Sequence, residues 1–431
     1  MLTTGTSAHE ANRASLLARY ELVRAATLEL AEPLSPEDCM LQSMADASPV
    51  RWHLAHTTWF FETFLLREWQ PERPPFHAAY EALFNSYYNG IGTPFPRPER
   101  GLISRPGLEE VLEYRRHVDQ AIGELLGSGA LEEPRGGELA ARLELGLQHE
   151  QQHQELILMD LKHAFSRNPL RPVYRPLARD EALAPARPSG FQPFEGGEVW
   201  IGAEADSGFH FDNEGPRHRV HLEPFELGRH PVTSGEYRAF MEDGGYERPE
   251  LWLSDGWDAV RSSDWRAPLY WHEGKTGWEQ YTLGGLRPVD PSEPVTHVSY
   301  YEADAFARWS GARLPLEAEW EHAASGHEVQ GNFARPGGEH PAPLAGEARG
   351  LERLFGDVWE WTSSDYAPYP RYRPAEGTIG EYNGKFMCNQ RVLRGGSCAT
   401  PRGHARATYR NFFYPHMRWQ FSGIRLARWL D

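Results

Sequence analysis

The sequence predicts two domains in tandem, an N-terminal four-helix bundle followed by an irregular α+β domain. Three observations predict it. Apolar residues recur with a helical period from about Ala8 to Ala164, prolines then crowd the chain, and beyond them short β-like runs alternate with turns. At 431 residues the chain also exceeds what one ordinary hydrophobic core holds.

The first helix is expected over His9–Leu30, where Leu16, Leu17, Tyr20, Leu22, Val23 and Ala26 keep close to the 3.6-residue period. A second starts near Ser48-Pro49, with Ser as cap and Pro in the first turn, and runs through WHLAHTTWFFETFLLREW. A third spans about Gly107–Leu126 and a fourth about Gly137–His163. Four helices of this length make a bundle. The connection from Gln70 to Arg105 is long enough to suggest a functional loop.

From Ser166 to Phe194 prolines interrupt helix and strand alike, so this stretch reads as an extended linker. The expected division is a bundle over 8–165, a linker over 166–194 and a second domain over 195–431. In that domain strands are expected at Glu198–Gly202, Arg219–Leu222, Pro294–Ser299 and Arg391–Arg394. Helices are expected at Tyr301–Ser310 and Leu316–Ala324. No internal repeat interrupts this order.

Composition narrows the function. Hydrophobic residues at 40% and charged residues at 24% are globular values. A net charge of −17 leaves no evident basic face, which argues against nucleic-acid partners. No apolar stretch approaches the roughly 20 residues a membrane span needs. The N-terminus lacks the basic start and apolar core of a signal peptide. Cys39, Cys388 and Cys398 are too few for a disulfide framework, so a cytoplasmic protein is expected.

The segment HEQQHQE places His149 and His153 at i and i+4, one turn apart on one helix face. Two imidazoles so placed can share a metal. Glu150 makes this a formal match to the zincin signature, which needs a third ligand further on. The next residues, QELILMD, offer neither the Gly nor the His of the extended form. Upstream, WHLAHTTWFFE carries His53 and His56 on the second helix. His56 heads a run in which Trp59, Phe60 and Leu66 pack, so it is expected to face inward, with His53 as its neighbour or supporting partner. A single His from one helix and an i, i+4 pair from another is how bundles build core metal sites. The pattern leaves three readings open: an open metal site, a zinc hydrolase with Glu150 as base, and a binding module without turnover.

The strings SMADASPVRWHLAHTTWFFETF, LQHEQQHQELILMDLKHAF and RNFFYPHMRWQFSGIRLAR resemble the EgtB family, the sulfoxide synthases of ergothioneine biosynthesis. The resemblance implies a DinB-like bundle followed by a C-type-lectin-like α+β domain of the formylglycine-generating-enzyme kind. DNEGPRHRVHL, PVTSGEYRAF, GARLPLEAEWE, GDVWEWTSSDY and VLRGGSCA stand in the order that second fold implies. It further implies an iron(II) ion held by His56, His149 and His153, with positions left for a thiolate, an imidazole and O2. The implied reaction joins the sulfur of cysteine or γ-glutamylcysteine to the imidazole C2 of hercynine and oxidises that sulfur. A related selenoneine synthase, using a selenosugar, would share the same ligands.

The resemblance also assigns roles to other residues. Asn411, Phe412 and Phe413 match the hercynine-binding segment, and aromatic faces suit a trimethylammonium that cannot donate a hydrogen bond. Gln152 is expected to bond the substrate imidazole. Tyr87 and Tyr88 match a tyrosine pair that supplies a proton, and a phenol is protonated at neutral pH. Arg97, Arg100 and Arg105 are candidates for the donor's carboxylate. Formylglycine-generating enzymes bind copper through a cysteine pair after RGGS; here only Cys398 follows, so copper is not expected. Trp359 and Trp361 are expected in the core.

Overall fold

The computed structural model describes residues 4–177, 190–344 and 350–430, with side chains described from residue 14 of the first helix onward. The chain forms two units. The first runs to Arg167 and also takes in Glu376–Tyr382; the second comprises Asn168–Ala375 and the chain from Asn383 on.

In the first unit α1 (Thr4–Ala31), α2 (Val50–Phe61), α3 (Leu108–Gly127) and α4 (Gly136–Ser166) make the bundle. α2 is its centre, because every residue from Val50 to Leu66 is buried. It packs on both α3 and α4, while α1 packs on α4. Beyond Phe61 the helix widens into a π turn over Glu62–Leu66 and then continues to Trp69. Such turns often mark functional sites. Here Glu62 on that turn accepts hydrogen bonds from Tyr114 Oη at 2.6 Å and from the Phe76 N–H at 2.8 Å.

Two details of α2 decide the site. The expected cap is corrected: Pro49 flanks the helix, and no side chain caps it. Ser48 is engaged elsewhere, donating its N–H to Asp160 Oδ2 at 2.8 Å and accepting from Arg100 Nη1 at 2.9 Å. On the facing helix Gly146 allows close approach, since a Cβ there would lie 2.5 Å from the Phe61 ring. That contact lies one turn before His149.

The second unit holds β1 (Phe191–Phe194), β2 (Gly197–Ile201), β3 (His218–Leu222), β4 (Phe225–Gly228), β5 (Trp271–Gly274), β6 (Gly277–Thr282) and β7 (Gly285–Pro288). After these come β8 (Gly331–Asn332), β9 (Phe355–Gly356), β10 (Trp359–Asp365), β11 (Arg391–Arg394), β12 (Asn411–Phe413), β13 (Ser422–Gly423) and β14 (Ala427–Trp429). They form small sheets, the largest in the order β12-β11-β10-β13, with β1-β4-β14 and β5-β6-β7 beside two pairs. Helices α5 (Ser234–Glu242) and α7 (Tyr300–Trp309) start at capping boxes, Thr233 with Glu236 and Ser299 with Glu302. Between and after them lie α6 (Ser254–Ser263) and α8 (Glu317–Ala324).

Two sequence expectations are corrected here. Phe191–Phe194, read as the end of the linker, is a strand; Pro193 is tolerated because β1 is an edge. The rest of the proline-rich run, 178–189, lies outside the described residues. Pro294–Ser299 is no strand, because His297 adopts φ 64 and turns the chain out of extended conformation. Only a single bridge, Thr233 to Pro294, joins it to a neighbour.

Trp359 and Trp361 are buried, as expected. The indole of Trp361 donates to the Val298 carbonyl at 2.9 Å, and that of Trp320 donates to Glu360 at 2.6 Å. Glu360 is in turn clamped by Arg425, so GDVWEW is a polar-anchored core segment. Cys39, Cys388 and Cys398 form no disulfide. No described helix is long and apolar enough to cross a membrane.

Candidate metal centre

α2 and α4 bring His56, His149 and His153 together, with their candidate ligand atoms all within 4.8 Å of one another. All three side chains are buried. His56 Nε2 stands 3.2 Å from His149 Nε2, the spacing of two imidazoles that share a cation at about 2.1 Å each. His56 Nδ1 donates to the Phe84 carbonyl at 2.5 Å, which leaves its Nε2 with a lone pair. Nitrogen lone pairs converging in a buried place repel unless a cation lies among them. The residues present therefore fit a metal ion.

Electrostatics prepare these nitrogens for a metal. Burial pushes His149 down to about 3, with His53 adding to it and Glu150 opposing. His56 and His153 are held well below the usual imidazole range, chiefly by burial and then by His149. In the unfolded chain the same imidazoles protonate at about 6.5, so below that pH the unfolded state binds more protons and stability rises with pH. The metal-free protein is thus expected to be fully stable above about pH 6.5. It should lose up to about 1.4 kcal/mol per pH unit for each such imidazole as pH falls from there. Urea midpoints across that range check the slope, and a flat profile contradicts it.

Glu150, the formal zincin base, faces the other way. Its carboxylate accepts from Arg24 at 2.8 Å and from Arg115 at 2.9 Å, fully buried. Burial works to raise its pKa, but the two guanidiniums hold it down to about 2. Arg115 also bonds the Leu54 carbonyl and Thr57, so the cluster ties α1, α3 and α4 to α2. A carboxylate so engaged has no reach to a metal-bound water. Glu150→Gln is expected to destabilise the fold by about 3–5 kcal/mol, because it leaves buried guanidiniums uncompensated. Metal content per folded molecule should be unchanged. Denaturant titration and metal analysis test both; a stable variant that loses turnover would restore the hydrolase reading.

Around this centre lie further polar groups. His53 Nδ1 is 2.8 Å from His153 Nδ1, and His53 Nε2 is 3.1 Å from Asp160 Oδ2. Trp52 stacks on His56 with ring centroids 4.6 Å apart, and Arg100 covers Trp52 at 3.4 Å. Of the three candidate arginines only Arg100 is buried; Arg97 and Arg105 are exposed. Nε and Nη2 of Arg100 have no partner among the described residues. Burial first, then Arg97, pushes its guanidinium down to about 8 against the pull of Asp160.

Tyr87 and Tyr88 stack at 4.6 Å in the loop after Phe84, which Asn85 closes by bonding Tyr88 and Gly92. Tyr88 is enclosed by Trp59, Phe60 and Phe64, and burial, ahead of Tyr87 and Tyr382, raises its phenol well above the ordinary range. The sequence reading missed Tyr382. Its ring lies 5.7 Å from that of His149, and its hydroxyl donates to Gln152 Oε1. Glu381 fastens this segment by accepting the N–H groups of Asn89 and Gly90 at 3.1 and 2.8 Å. Gln152 therefore engages Tyr382, where the sequence reading had given it to substrate. In the second unit Asn411, Phe412 and Phe413 form β12, half-buried, with Phe412 stacked on Tyr366 at 4.0 Å.

A metal-binding bundle joined to an α+β domain of small sheets defines a class of two-domain metalloenzyme, and comparison with known proteins agrees. The DinB superfamily model matches residues 19–157, and the sulfatase-modifying factor enzyme 1-like domain matches 189–343 and 330–430. A hercynine oxygenase of Mycolicibacterium smegmatis is 33% identical over 96% of this chain and 99% of its own length. One of Mycobacterium tuberculosis is 34% identical over 94% of this chain and 96% of its own. The formylglycine-generating enzyme of Streptomyces coelicolor is 30% identical over 52% of this chain and 83% of its own. The chain belongs to the hercynine oxygenase family, the EgtB-type oxidoreductases.

Proposed function

We propose that this protein is a non-haem iron(II), O2-dependent sulfoxide synthase that joins cysteine, or γ-glutamylcysteine, to hercynine in ergothioneine biosynthesis. The observation that carries the proposal is the convergence of His56, His149 and His153, buried on two helices, at one point. Bound there, iron(II) supplies the redox chemistry that activates O2. Three protein ligands leave positions for substrates, which a four-ligand structural zinc site does not. Overall, the S–H bond of the thiol and the C2–H bond of the imidazole break. A C–S and an S–O bond form, and the second oxygen atom leaves as water.

The chain's own residues bind and orient. Arg100 offers two unpartnered N–H groups to the carboxylate of the donor; exposed Arg97 is the weaker candidate. Asn411, Phe412 and Phe413 are the proposed trimethylammonium contacts, through aromatic faces and an amide oxygen. Of the three tyrosines Tyr382 is the one whose ring adjoins a ligand histidine, with its Oη–H oriented by Gln152. It is the favoured holder of the catalytic proton, with Tyr88 and Tyr87 behind it.

The test is incubation of the iron(II)-loaded protein with hercynine, O2 and either cysteine, γ-glutamylcysteine or a selenosugar, read by mass spectrometry. A hercynine–cysteine sulfoxide supports the proposal; product from the selenosugar alone makes the enzyme a selenoneine synthase. Hydrolysis with zinc, or tight hercynine binding without product, contradicts both. Tyr382→Phe should shift product toward cysteine sulfinate more than Tyr87→Phe or Tyr88→Phe does.

A further inference from the structure

We infer that Asp160 and His53 are positioning residues that hold His153 in the tautomer whose Nε2 lone pair is presented to the metal. This rests on the reading of His56, His149 and His153 as metal ligands.

The argument starts at Asp160, whose buried Oδ2 accepts the Ser48 N–H at 2.8 Å and stands 3.1 Å from His53 Nε2. A carboxylate only accepts, so the hydrogen of that second contact sits on His53 Nε2. A neutral imidazole carries one N–H, and His53 Nδ1 is then a lone pair. That lone pair lies 2.8 Å from His153 Nδ1, which must therefore be the donor. His153 Nε2 is left bare. The alternative, a cationic His53, would make His153 Nδ1 the acceptor and put the proton on Nε2, blocking the metal.

The three ligands are thus held in three different ways. His56 is fixed by the Phe84 carbonyl, and His153 by a carboxylate acting through an imidazole. His149 Nδ1 has no partner among the described residues. Partners behind a ligand set its orientation and basicity, and their loss typically lowers metal affinity about 10–100-fold. The charge-linked chain makes His153 the ligand most sensitive to such loss. Asp160 and His153 lie on one face of α4, seven residues apart, and His53 reaches both from α2, so the helix pairing itself sets the chain.

The experiment uses full-length protein with ring-labelled histidine, observed by nitrogen NMR without metal and with zinc(II) as a diamagnetic probe. The expected result is protonated Nδ1 on His153 and protonated Nε2 on His53. A proton on His153 Nε2 in the metal-free protein overturns the inference. Two variants extend the test. In His53→Gln the amide can donate to Asp160 and accept from His153 in the same order, whereas His53→Leu can do neither. Zinc affinity should stay within a few-fold of wild type for Gln and fall about 10–100-fold for Leu. Equal affinities in both variants, whether retained or lost, overturn the inference. Should His53→Leu not fold, the tautomers and the Gln variant decide. If zinc perturbs none of His56, His149 and His153, the metal-centre reading itself falls, which is a separate outcome from a wrong tautomer on a zinc-binding site.

Discussion

His149→Ala is expected to leave a folded protein that no longer holds its metal. Removing one of three protein donors leaves a pair at best, and affinity should drop by well over the 100-fold that loss of a mere supporting partner can cost. Folding should survive because His149 Nδ1 has no partner among the described residues, so its removal orphans no neighbour. The nearby ring of Phe60, with its centroid 4.4 Å away, can relax into part of the vacated space. His153→Ala is the informative contrast, since it also strips His53 of its donor. Metal analysis after gel filtration, with urea unfolding of the metal-free protein, separates the two effects. Wild-type metal content in His149→Ala would refute the ligand assignment.

Arg100→Met should produce a trade of binding for stability. The guanidinium is buried, with one hydrogen bond to Ser48 and two nitrogens unpartnered. A guanidinium does not shed its proton at neutral pH, so burial is carried as a standing penalty on the fold. A hydrophobic side chain of similar length removes that penalty and keeps the packing on Trp52. The metal-free variant is expected to be about 1–3 kcal/mol more stable than wild type. It should also lose the charge-assisted bonds to the donor's carboxylate, about 1.5–3 kcal/mol, which raises the donor KM roughly 10–100-fold with little change for hercynine. Steady-state kinetics and denaturant curves read both arms. Destabilisation together with an unchanged donor KM would mean that Arg100 serves the fold alone.

Much of this site was legible in the sequence because its geometry is local. The i, i+4 pair His149 and His153 lies on one helix, and the apolar company of His56 pointed it inward. The four helices could be bounded closely for the same reason, since a 3.6-residue period spans each of them. Asp160 was partly legible, as it continues the histidine face of α4, but nothing marked its role until His53 was seen to lie opposite. Tyr382 was not legible at all, since it meets Gln152 across 230 residues of chain and no spacing encodes such a contact. Arg97, Arg100 and Arg105 looked alike as sequence; burial alone distinguishes Arg100. The misread strand at Pro294–Ser299 has a similar cause. Its Val295 and Val298 suggest extended chain, while the left-handed backbone of His297 between them is a tertiary choice.

The most direct test of the metal centre is anomalous diffraction at the iron edge from crystals of the protein loaded anaerobically with iron(II). A single strong peak in bonding contact with Nε2 of His56, His149 and His153, and with no fourth protein ligand, is the predicted result. A peak elsewhere, or an ion enclosed on every side by protein, would contradict it.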